Sequence, residues 1–328
     1  MTVSSFTPTE FVPRPPFWGG HLQTLGGFFL QRPILLPAPE SRMVEVAPGV
    51  QVLCHCHWQP ERRRALTIIV VHGLEGSSDS GYSVGLAQKG LALGMNVVRM
   101  NQRNCGGTDA IAPTLYNSSL SGDVAAVANN VVTQDRVERF ALVGFSMGGN
   151  LVLKAAGEWG AKGPEESRAV AAVCPAMDLG VSADALHLPS NRIYEEYFML
   201  KLRARFRAKV KLFPDHFDVG RLQGVSSLRL FDDRVTAYYC GFMGAADYYD
   251  RASATNTIEQ VAVPGFILHA QSDPFVKITP PTRERIESNS NLLYVETEDG
   301  GHCSFLASPN GYDGRWAEQQ VVEFLRKL

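Results

Sequence analysis

The chain has 328 residues, which is enough for one large α/β domain or two small ones. Hydrophobic residues make up 45% of it and charged residues 20%, the ordinary balance of a globular protein with a full core. The formal net charge is −2, which lacks the basic excess of nucleic-acid-binding proteins, so we predict no nucleic-acid partner.

The cysteines and the N-terminal stretch bear on location. Six cysteines occur without a closely spaced, even framework, which is typical of reduced thiols, so we predict a cytoplasmic protein. The N-terminal stretch lacks a positive segment followed by an apolar core, and we predict no signal peptide. The chain lacks a run of about 18 apolar residues, so we predict no transmembrane segment.

In chain order, the sequence first predicts an arm, a hairpin and a buried strand. Residues 1–40 are rich in proline and aromatic residues and indicate an irregular arm. Residues 43–58 alternate and break at Pro48-Gly49, as in a β-hairpin. The β-branched run 65–71 is typical of a strand buried on both faces. The further predicted elements are helix 83–93, strand 95–100, helix 121–133, strand 140–144, helix 150–161, strand 169–174, strand 261–269, strand 291–295 and helix 316–328.

Strands that alternate with helices predict an α/β protein with a mostly parallel central sheet flanked by helices. The alternation stops over residues 180–255, which are helical in pattern, aromatic and basic. It resumes with the strands near the C-terminus. We therefore predict a single domain over residues 1–328, with a helical cap insertion at 180–255.

The most basic segment lies in the predicted insertion, at residues 201–211. Its charges recur at helical spacing, with Leu202, Phe206 and Val210 on one stripe. We interpret it as a solvated helix face. The alternative is a patch for peripheral contact with anionic lipid or for an acidic substrate.

Ser146 is the candidate nucleophile. It lies in Gly144-Phe-Ser-Met-Gly148, between a predicted strand and a predicted helix. Glycines on either side of such a turn let the chain pivot sharply and expose the hydroxyl at the end of the strand. A serine is a weak nucleophile without a base, so the hypothesis requires partners elsewhere in the chain.

His302 is the candidate base, because it lies in a glycine-rich loop after the last predicted strand. Asp273 follows the preceding strand and is the candidate acid that orients the imidazole. The order Ser146, Asp273, His302 is that of one family of catalytic triads. Asp178 is a rival acid. The rival histidines are His21, His72, His187, His216 and His269.

The oxyanion of an acyl-transfer reaction needs two oriented amide donors. Met147 follows the nucleophile and supplies one backbone amide. The loop after the first buried strand contains Leu74, which we predict to supply the second.

Other candidate sites receive structural interpretations. His55 and His57 share one face of a strand, but no third ligand with suitable spacing is evident, and we predict no metal site. Cys303 is adjacent to the candidate base; a reactive thiol is the alternative to simple packing.

Taken together, these motifs resemble the α/β-hydrolase superfamily, and within it the YheT-like hydrolases, relatives of the mammalian α/β-hydrolase-domain phospholipases. The segments that carry the resemblance are His21-Leu-Gln-Thr24, His72-Gly-Leu-Glu-Gly-Ser77, Asn104-Cys-Gly-Gly107, Gly144-Phe-Ser-Met-Gly-Gly149, Phe231-Asp-Asp233, Leu268-His-Ala-Gln-Ser-Asp273-Pro and Gly300-Gly-His302. The His21-Leu-Gln-Thr24 and Phe231-Asp-Asp233 segments are the more diagnostic. The resemblance implies the α/β-hydrolase fold, a Ser146–Asp273–His302 triad without a metal, and a structural role for Phe231-Asp-Asp233 in or beside the cap.

The hypothesis is therefore a serine hydrolase that cleaves a small-molecule acyl ester through an acyl-enzyme and needs no cofactor. The alternatives are a thioesterase or a lysophospholipase-type acyl hydrolase, a cofactor-free perhydrolase, and a non-catalytic binding protein on the same fold.

Overall fold

The computed structural model describes residues 6–328, and in them eight strands form one mixed sheet. The strands are β1 (Glu40–Ala47), β2 (Val50–His57), β3 (Thr67–Val71), β4 (Asn96–Met100), β5 (Phe140–Phe145), β6 (Ser167–Val173), β7 (Gly265–Ala270) and β8 (Leu292–Thr297). Their order across the sheet is β1-β2-β4-β3-β5-β6-β7-β8. The hairpin β1–β2 is antiparallel and joins β4 antiparallel, while all pairs from β4 to β8 are parallel. The predicted mostly parallel sheet is confirmed.

Helices cover both faces of the sheet. The α-helices are α1 (Gly19–Phe29), α2 (Gly81–Ala92), α3 (Ser121–Asp135), α4 (Met147–Trp159), α5 (Leu179–Leu186), α6 (Arg192–Leu212), α7 (Leu228–Phe231), α8 (Ala237–Cys240), α9 (Ala245–Ala252), α10 (Pro280–Ser288) and α11 (Trp316–Arg326). A π-helical turn, Asp232–Thr236, joins α7 to α8. Apolar side chains of α3 and α4 pack on one face, and those of α2 and α11 on the other. This two-sided burial explains why β3 and β5 are apolar without alternation.

Three elements outside the turn at Ser146 differ from the sequence prediction. The arm contains α1, whose glycines are poor helix formers but permit close packing. A Cβ at Gly20 would collide with the carbonyl oxygen of Ser272, and one at Gly27 with the hydroxyl of Ser304. Strand β7 begins at Gly265, after Pro264, rather than at Val261. Helix α10 was not predicted; its few buried residues leave little periodicity.

The described residues between β6 and β7 contain five α-helices, α5 to α9, and no β-strand. Two apolar clusters hold them together. One includes Leu179, Ala183 and Tyr249, and the other centres on Phe206 of α6 and on Phe217, which follows that helix. The predicted insertion at 180–255 falls on these helices. Its assignment as a cap stays a prediction.

The basic segment 201–211 lies in α6, and the interpretation as a solvated face is wrong for two of its cations. Lys209 is fully buried, and its ammonium donates to Asn104 Oδ1 at 3.1 Å and to the carbonyl oxygen of Asp109 at 2.8 Å. Arg205 forms ion pairs with Glu75 and Asp109. These cations fix α6 to the loops at the carboxyl edge of the sheet.

Candidate active site

Ser146 lies in a sharp turn between β5 and α4. Its backbone angles, φ 55° and ψ −121°, are unusual for a residue with a side chain. A Cβ at Gly144 would collide with the carbonyl oxygen of Gly148, and a Cβ at Gly148 would collide with that of Val71. Both glycines are therefore needed for this turn. Helix α4 starts at Met147, earlier than predicted, and its N-terminus lies directly beside the serine.

The structure brings Ser146, His302 and Asp273 together. Nε2 of His302 lies 2.8 Å from Oγ of Ser146, and Nδ1 lies 2.9 Å from Oδ2 of Asp273. Both distances are those of hydrogen bonds. Asp273 follows β7 and His302 follows β8, so the three side chains meet at the carboxyl edge of the parallel strands. The arrangement can pass a proton from the serine to the imidazole.

The carboxylate of Asp273 is held rigidly. It is fully buried, and its Oδ1 accepts hydrogen bonds from the backbone amides of Phe275 at 3.1 Å and Val276 at 3.0 Å. Burial alone would raise the pKa of Asp273, but the charge and hydrogen bond of His302, the charge of His269 and the amide of Val276 outweigh burial and hold that pKa below its usual value. Asp273 is thus ionised and orients the imidazole.

The pKa of His302 is shifted in the opposite direction. Burial disfavours the imidazolium, but the neighbouring Cys303 and Asp273 favour it more strongly and raise the pKa of His302. Burial also disfavours the thiolate of Cys303, while the hydrogen bond with Cys174 and the charge of His302 hold the pKa of Cys303 below its usual value. Cys303 is therefore electrostatically coupled to the imidazole.

The backbone amides of Leu74 and Met147 lie near the serine. Both residues line the same cavity as Ser146, and within residues 6–328 neither amide donates a hydrogen bond. Two tyrosine hydroxyls fix the loop around Leu74: Tyr82 accepts from the amide of Gly73 at 2.9 Å, and Tyr116 accepts from that of Glu75 at 3.0 Å. Both amides are thus free to donate: that of Leu74 lies on a loop held from both sides, and that of Met147 lies at the start of α4.

Helix α1 fixes the loop that carries His302, a role that the sequence analysis missed. The backbone amide of His302 donates to Oγ1 of Thr24 at 2.8 Å. The amide side chain of Gln23 bridges to both backbone groups of Leu306, accepting at 2.7 Å and donating at 3.2 Å. Both residues belong to the His21-Leu-Gln-Thr24 segment. The only sign of this role in the sequence is that the segment marks the resemblance to the YheT-like hydrolases.

The rival acid lies elsewhere. Asp178 accepts from the backbone amide of Thr279 at 2.8 Å and from the hydroxyl of Thr282 at 2.7 Å, so it holds the start of α10. Its contacts are structural, and none of them is with His302.

The rival histidines are also engaged away from the serine. His72 is fully buried; its Nε2 accepts from the amide of Gln102 at 3.1 Å, and burial lowers its pKa to about 4. Burial likewise lowers the pKa of His269. The remaining three lie on α1 and in the helical segment: His21 pairs with Tyr194, His187 with Glu195, and His216 packs edge-on to Phe213.

The strand histidines lack metal-site geometry. Nδ1 of His55 lies 3.1 Å from Oγ of Ser78, and Nε2 of His57 lies 3.4 Å from the guanidinium of Arg99. Burial, followed by the charge of Arg99, lowers the pKa of His57 to about 4. In the described residues, neither histidine belongs to a group of three close ligand atoms.

Two cavities meet at Ser146. The smaller has a volume of about 110 Å³ and lies under the helical segment, lined by apolar side chains that include Ala183, Leu202 and Phe206. The larger is an open groove of about 1040 Å³, lined by α1, α6 and His302. A substrate bound with its reacting carbon at Ser146 can place one part in each.

The Phe231-Asp-Asp233 segment forms part of the wall of the smaller cavity. Asp232 is buried and accepts hydrogen bonds from Tyr249 and Thr236, each at 2.8 Å. Burial raises the pKa of Asp232 to about 6. Asp233 accepts from the backbone amide of Ala245 at 3.0 Å. These bonds tie the π-helical turn to α9.

Comparison with known proteins agrees with this geometry. The family described as alpha/beta hydrolase fold matches residues 67–309. The chain belongs to this family. The fold of the α/β hydrolases accounts for the sheet order, the turn at Ser146 and the position of His302 after the last strand.

Individual relatives cover most of the chain. It is 28% identical to YheT of Escherichia coli (strain K12), over 96% of this chain and 93% of that protein. It is 27% identical to phospholipase ABHD3 of Mus musculus, over 89% and 72%. The predicted resemblance to YheT-like hydrolases is confirmed. An esterase from Pyrococcus furiosus, Pf2001, shares the fold with a TM-score of 0.56 at 16% identity, over 88% of this chain and 92% of that one.

None of the helices in the described residues has the length and apolar character that spanning a bilayer requires.

Proposed function

We propose that this α/β hydrolase is a serine carboxylesterase that works through an acyl-enzyme on Ser146. The observation that carries the proposal is the chain of hydrogen bonds from Ser146 Oγ through His302 to Asp273, with separations of 2.8 and 2.9 Å. A non-catalytic binding protein does not need these three groups at hydrogen-bonding distance from one another.

The mechanism follows from the geometry. His302 Nε2 takes the proton of Ser146 as Oγ attacks the acyl carbonyl carbon. The amides of Leu74 and Met147 donate to the developing oxyanion; loss of one such donor costs about 3 kcal/mol of activation free energy. His302 then gives its proton to the leaving alcohol. Water repeats the cycle on the acyl-enzyme and frees the acid.

The two cavities bind different parts of the substrate. The apolar cavity of about 110 Å³ receives the acyl chain. A cavity of this small volume fits a short or medium acyl chain. The groove takes the alcohol part. In this account residues 180–255 act as a cap, since they supply most of the wall of the acyl cavity.

A lysophospholipase-type acyl hydrolase is the second candidate. Apolar side chains at the rim of the groove favour it: Phe28, Phe29 and Ile34 are 62%, 69% and 70% exposed. Lys201 lies in the same groove. This rim can make peripheral contact with lipid, and relatives of the chain include a phospholipase and a monoacylglycerol lipase.

The test is turnover of p-nitrophenyl esters from acetate to palmitate, and of lysophospholipids, by wild type and Ser146→Ala. The proposal predicts ester turnover with an optimum between butyrate and octanoate, abolished in the variant. Preferred cleavage of lysophospholipids would favour the second candidate. Equal turnover by both proteins would refute the role of Ser146.

A further inference from the structure

Two cysteines that the mechanism does not use lie beside His302. Sγ of Cys303 lies 3.9 Å from Nε2 of His302. A third residue, Cys174, lies close to both. Each of the three residues has a ligand atom, a thiol sulfur or a ring nitrogen, within 4.8 Å of the ligand atoms of the other two. Both cysteines have positive φ, 45° for Cys174 and 54° for Cys303. Non-glycine residues rarely adopt this conformation, so the surrounding structure fixes the backbone at both positions. Each thiol also donates to a backbone carbonyl oxygen, Cys174 to that of Gly301 at 3.6 Å and Cys303 to that of Val173 at 3.5 Å.

The spacing is close to that of a zinc site. Tetrahedral Zn²⁺ takes thiolates at about 2.3 Å and imidazole nitrogens at about 2.0 Å, which places neighbouring ligand atoms about 3.5–3.8 Å apart. A sulfur–nitrogen pair belongs at the lower end of that range, and the observed 3.9 Å between Cys303 Sγ and His302 Nε2 exceeds it by about 0.4 Å. Small side-chain movements would bring all three ligands onto one ion. Two thiolates and one imidazole are also ligands that thiophilic cations prefer.

The hydrogen bond to Asp273 prepares the imidazole as a ligand. A carboxylate that accepts from Nδ1 leaves the lone pair of a neutral imidazole on Nε2. Metal-binding histidines are commonly held by a carboxylate in this way. The 2.9 Å separation between His302 Nδ1 and Asp273 Oδ2 supplies that second contact.

An ion can reach this group from the groove. His302 and Cys303 line the groove, and Cys174 is buried behind them. A second group, Cys174 with His269 and Asp273, is wholly buried. Its carboxylate already accepts from His302 and from two backbone amides. The accessible group is therefore the one with Cys303.

We propose that Cys174, Cys303 and His302 form an inhibitory site for a thiophilic divalent cation of the Zn²⁺ type. Binding releases the two thiol protons to solvent and forms two metal–sulfur bonds and one metal–nitrogen bond. The metal occupies the lone pair of Nε2 that would otherwise accept the proton of Ser146. Catalysis stops while the ion is bound and resumes when it leaves. Binding itself does not require Ser146 to be the nucleophile.

Co²⁺ binding to Ser146→Ala measures the site without any reliance on activity. Thiolate ligands give Co²⁺ an intense near-ultraviolet charge-transfer band, and tetrahedral geometry gives strong visible bands. We expect both bands in Ser146→Ala and in Ser146→Ala with Cys240→Ser, a matched control because Cys240 is a partly exposed cysteine outside the group. We expect them to be lost when Cys303→Ser is added. Absence of the bands in Ser146→Ala, or their persistence with Cys303→Ser, would overturn the proposal.

Inhibition by Zn²⁺ is the second measurement, with each variant compared with its own metal-free rate. We expect the midpoint of inhibition to rise about tenfold or more in Cys303→Ser and to stay unchanged in Cys240→Ser, with full recovery on adding EDTA. Cys303→Ser suffices if the buried Cys174→Ser fails to fold. An equal midpoint in all three proteins would contradict the proposal. So would recovery with a reductant but not with EDTA, which would indicate a disulfide instead.

Discussion

The hydroxyl of Thr24 on α1 accepts a hydrogen bond from the backbone amide of His302, with a separation of 2.8 Å. Thr24 also donates to the carbonyl oxygen of Gly20 at 2.6 Å. A segment almost 280 positions away in the chain therefore fixes the backbone that carries the proposed base. Thr24 is a positioning residue, since it acts through His302.

Replacement of Thr24 tests this role. Thr24→Val keeps the shape of the side chain but leaves the amide of His302 without its acceptor, which costs about 1–3 kcal/mol. We expect kcat to fall about tenfold to a hundredfold at nearly constant KM, as the imidazole loses its alignment. Thr24→Ser keeps the acceptor and should retain the kcat of the wild type. Steady-state kinetics and a thermal melt separate a loss of kcat from a loss of folded protein. A fall in stability with unchanged kcat would contradict a positioning role for Thr24.

The tautomer of His302 depends on Asp273. Asp273→Asn keeps the size of the side chain but replaces the carboxylate that accepts from Nδ1, so we expect kcat to fall by about 10⁴. Asp178→Asn is the matched control, because Asp178 contacts Thr279 and Thr282 rather than His302. It should retain kcat while losing stability. A larger loss of kcat in the control would make Asp178 the acid.

The pH dependence of kcat/KM reports the protonation of His302 in the free enzyme. The base must be neutral, and Cys303 and Asp273 raise its pKa, so the neutral form is populated only at higher pH. We expect the rate to rise with pH, with its midpoint above that of an ordinary histidine.

Cys303→Ser removes one of the two groups that raise this pKa, so the midpoint should move to lower pH. Cys240→Ser is the control and should leave the profile unchanged. Rate profiles recorded across acidic, neutral and alkaline pH measure the shift. An identical midpoint in wild type and Cys303→Ser would show that the thiol carries no charge at the site.

The size of the acyl cavity sets the preferred chain length. Ala183 lines the cavity, and Ala183→Leu fills part of it. We expect kcat/KM for octanoate relative to acetate to fall about tenfold or more, since contacts with a few methylenes are lost. Val181→Leu lies on the same helix but on its exposed side, and should leave the ratio unchanged. A ratio unaffected by Ala183→Leu would place the acyl chain in the groove.

Much of the sheet and the three proposed catalytic residues follow from local sequence. The apolar runs of β3 and β5 lie in strands buried on both faces, and the glycines beside Ser146 are required by the turn that follows. Asp273 and His302 could be located because parallel strands end at one edge, where loops converge.

The parts that the sequence did not predict depend on long-range contacts. Helix α1 has four glycines and little helix propensity; it packs closely against Ser272 and Ser304 and bonds to the His302 loop. The burial of Lys209 requires three acceptors from residues 104–112, a loop about a hundred positions earlier. Neither arrangement leaves a periodic or local signal, and so pattern alone could not reveal them.

Mass spectrometry of the protein labelled with a fluorophosphonate identifies the nucleophile. We expect one equivalent of label, located on the peptide that contains Ser146. We expect no labelling of Ser146→Ala and strongly slowed labelling of Asp273→Asn. Label found on a different residue, or wild-type protein that stays unlabelled while properly folded, would contradict the assignment of Ser146 as the nucleophile.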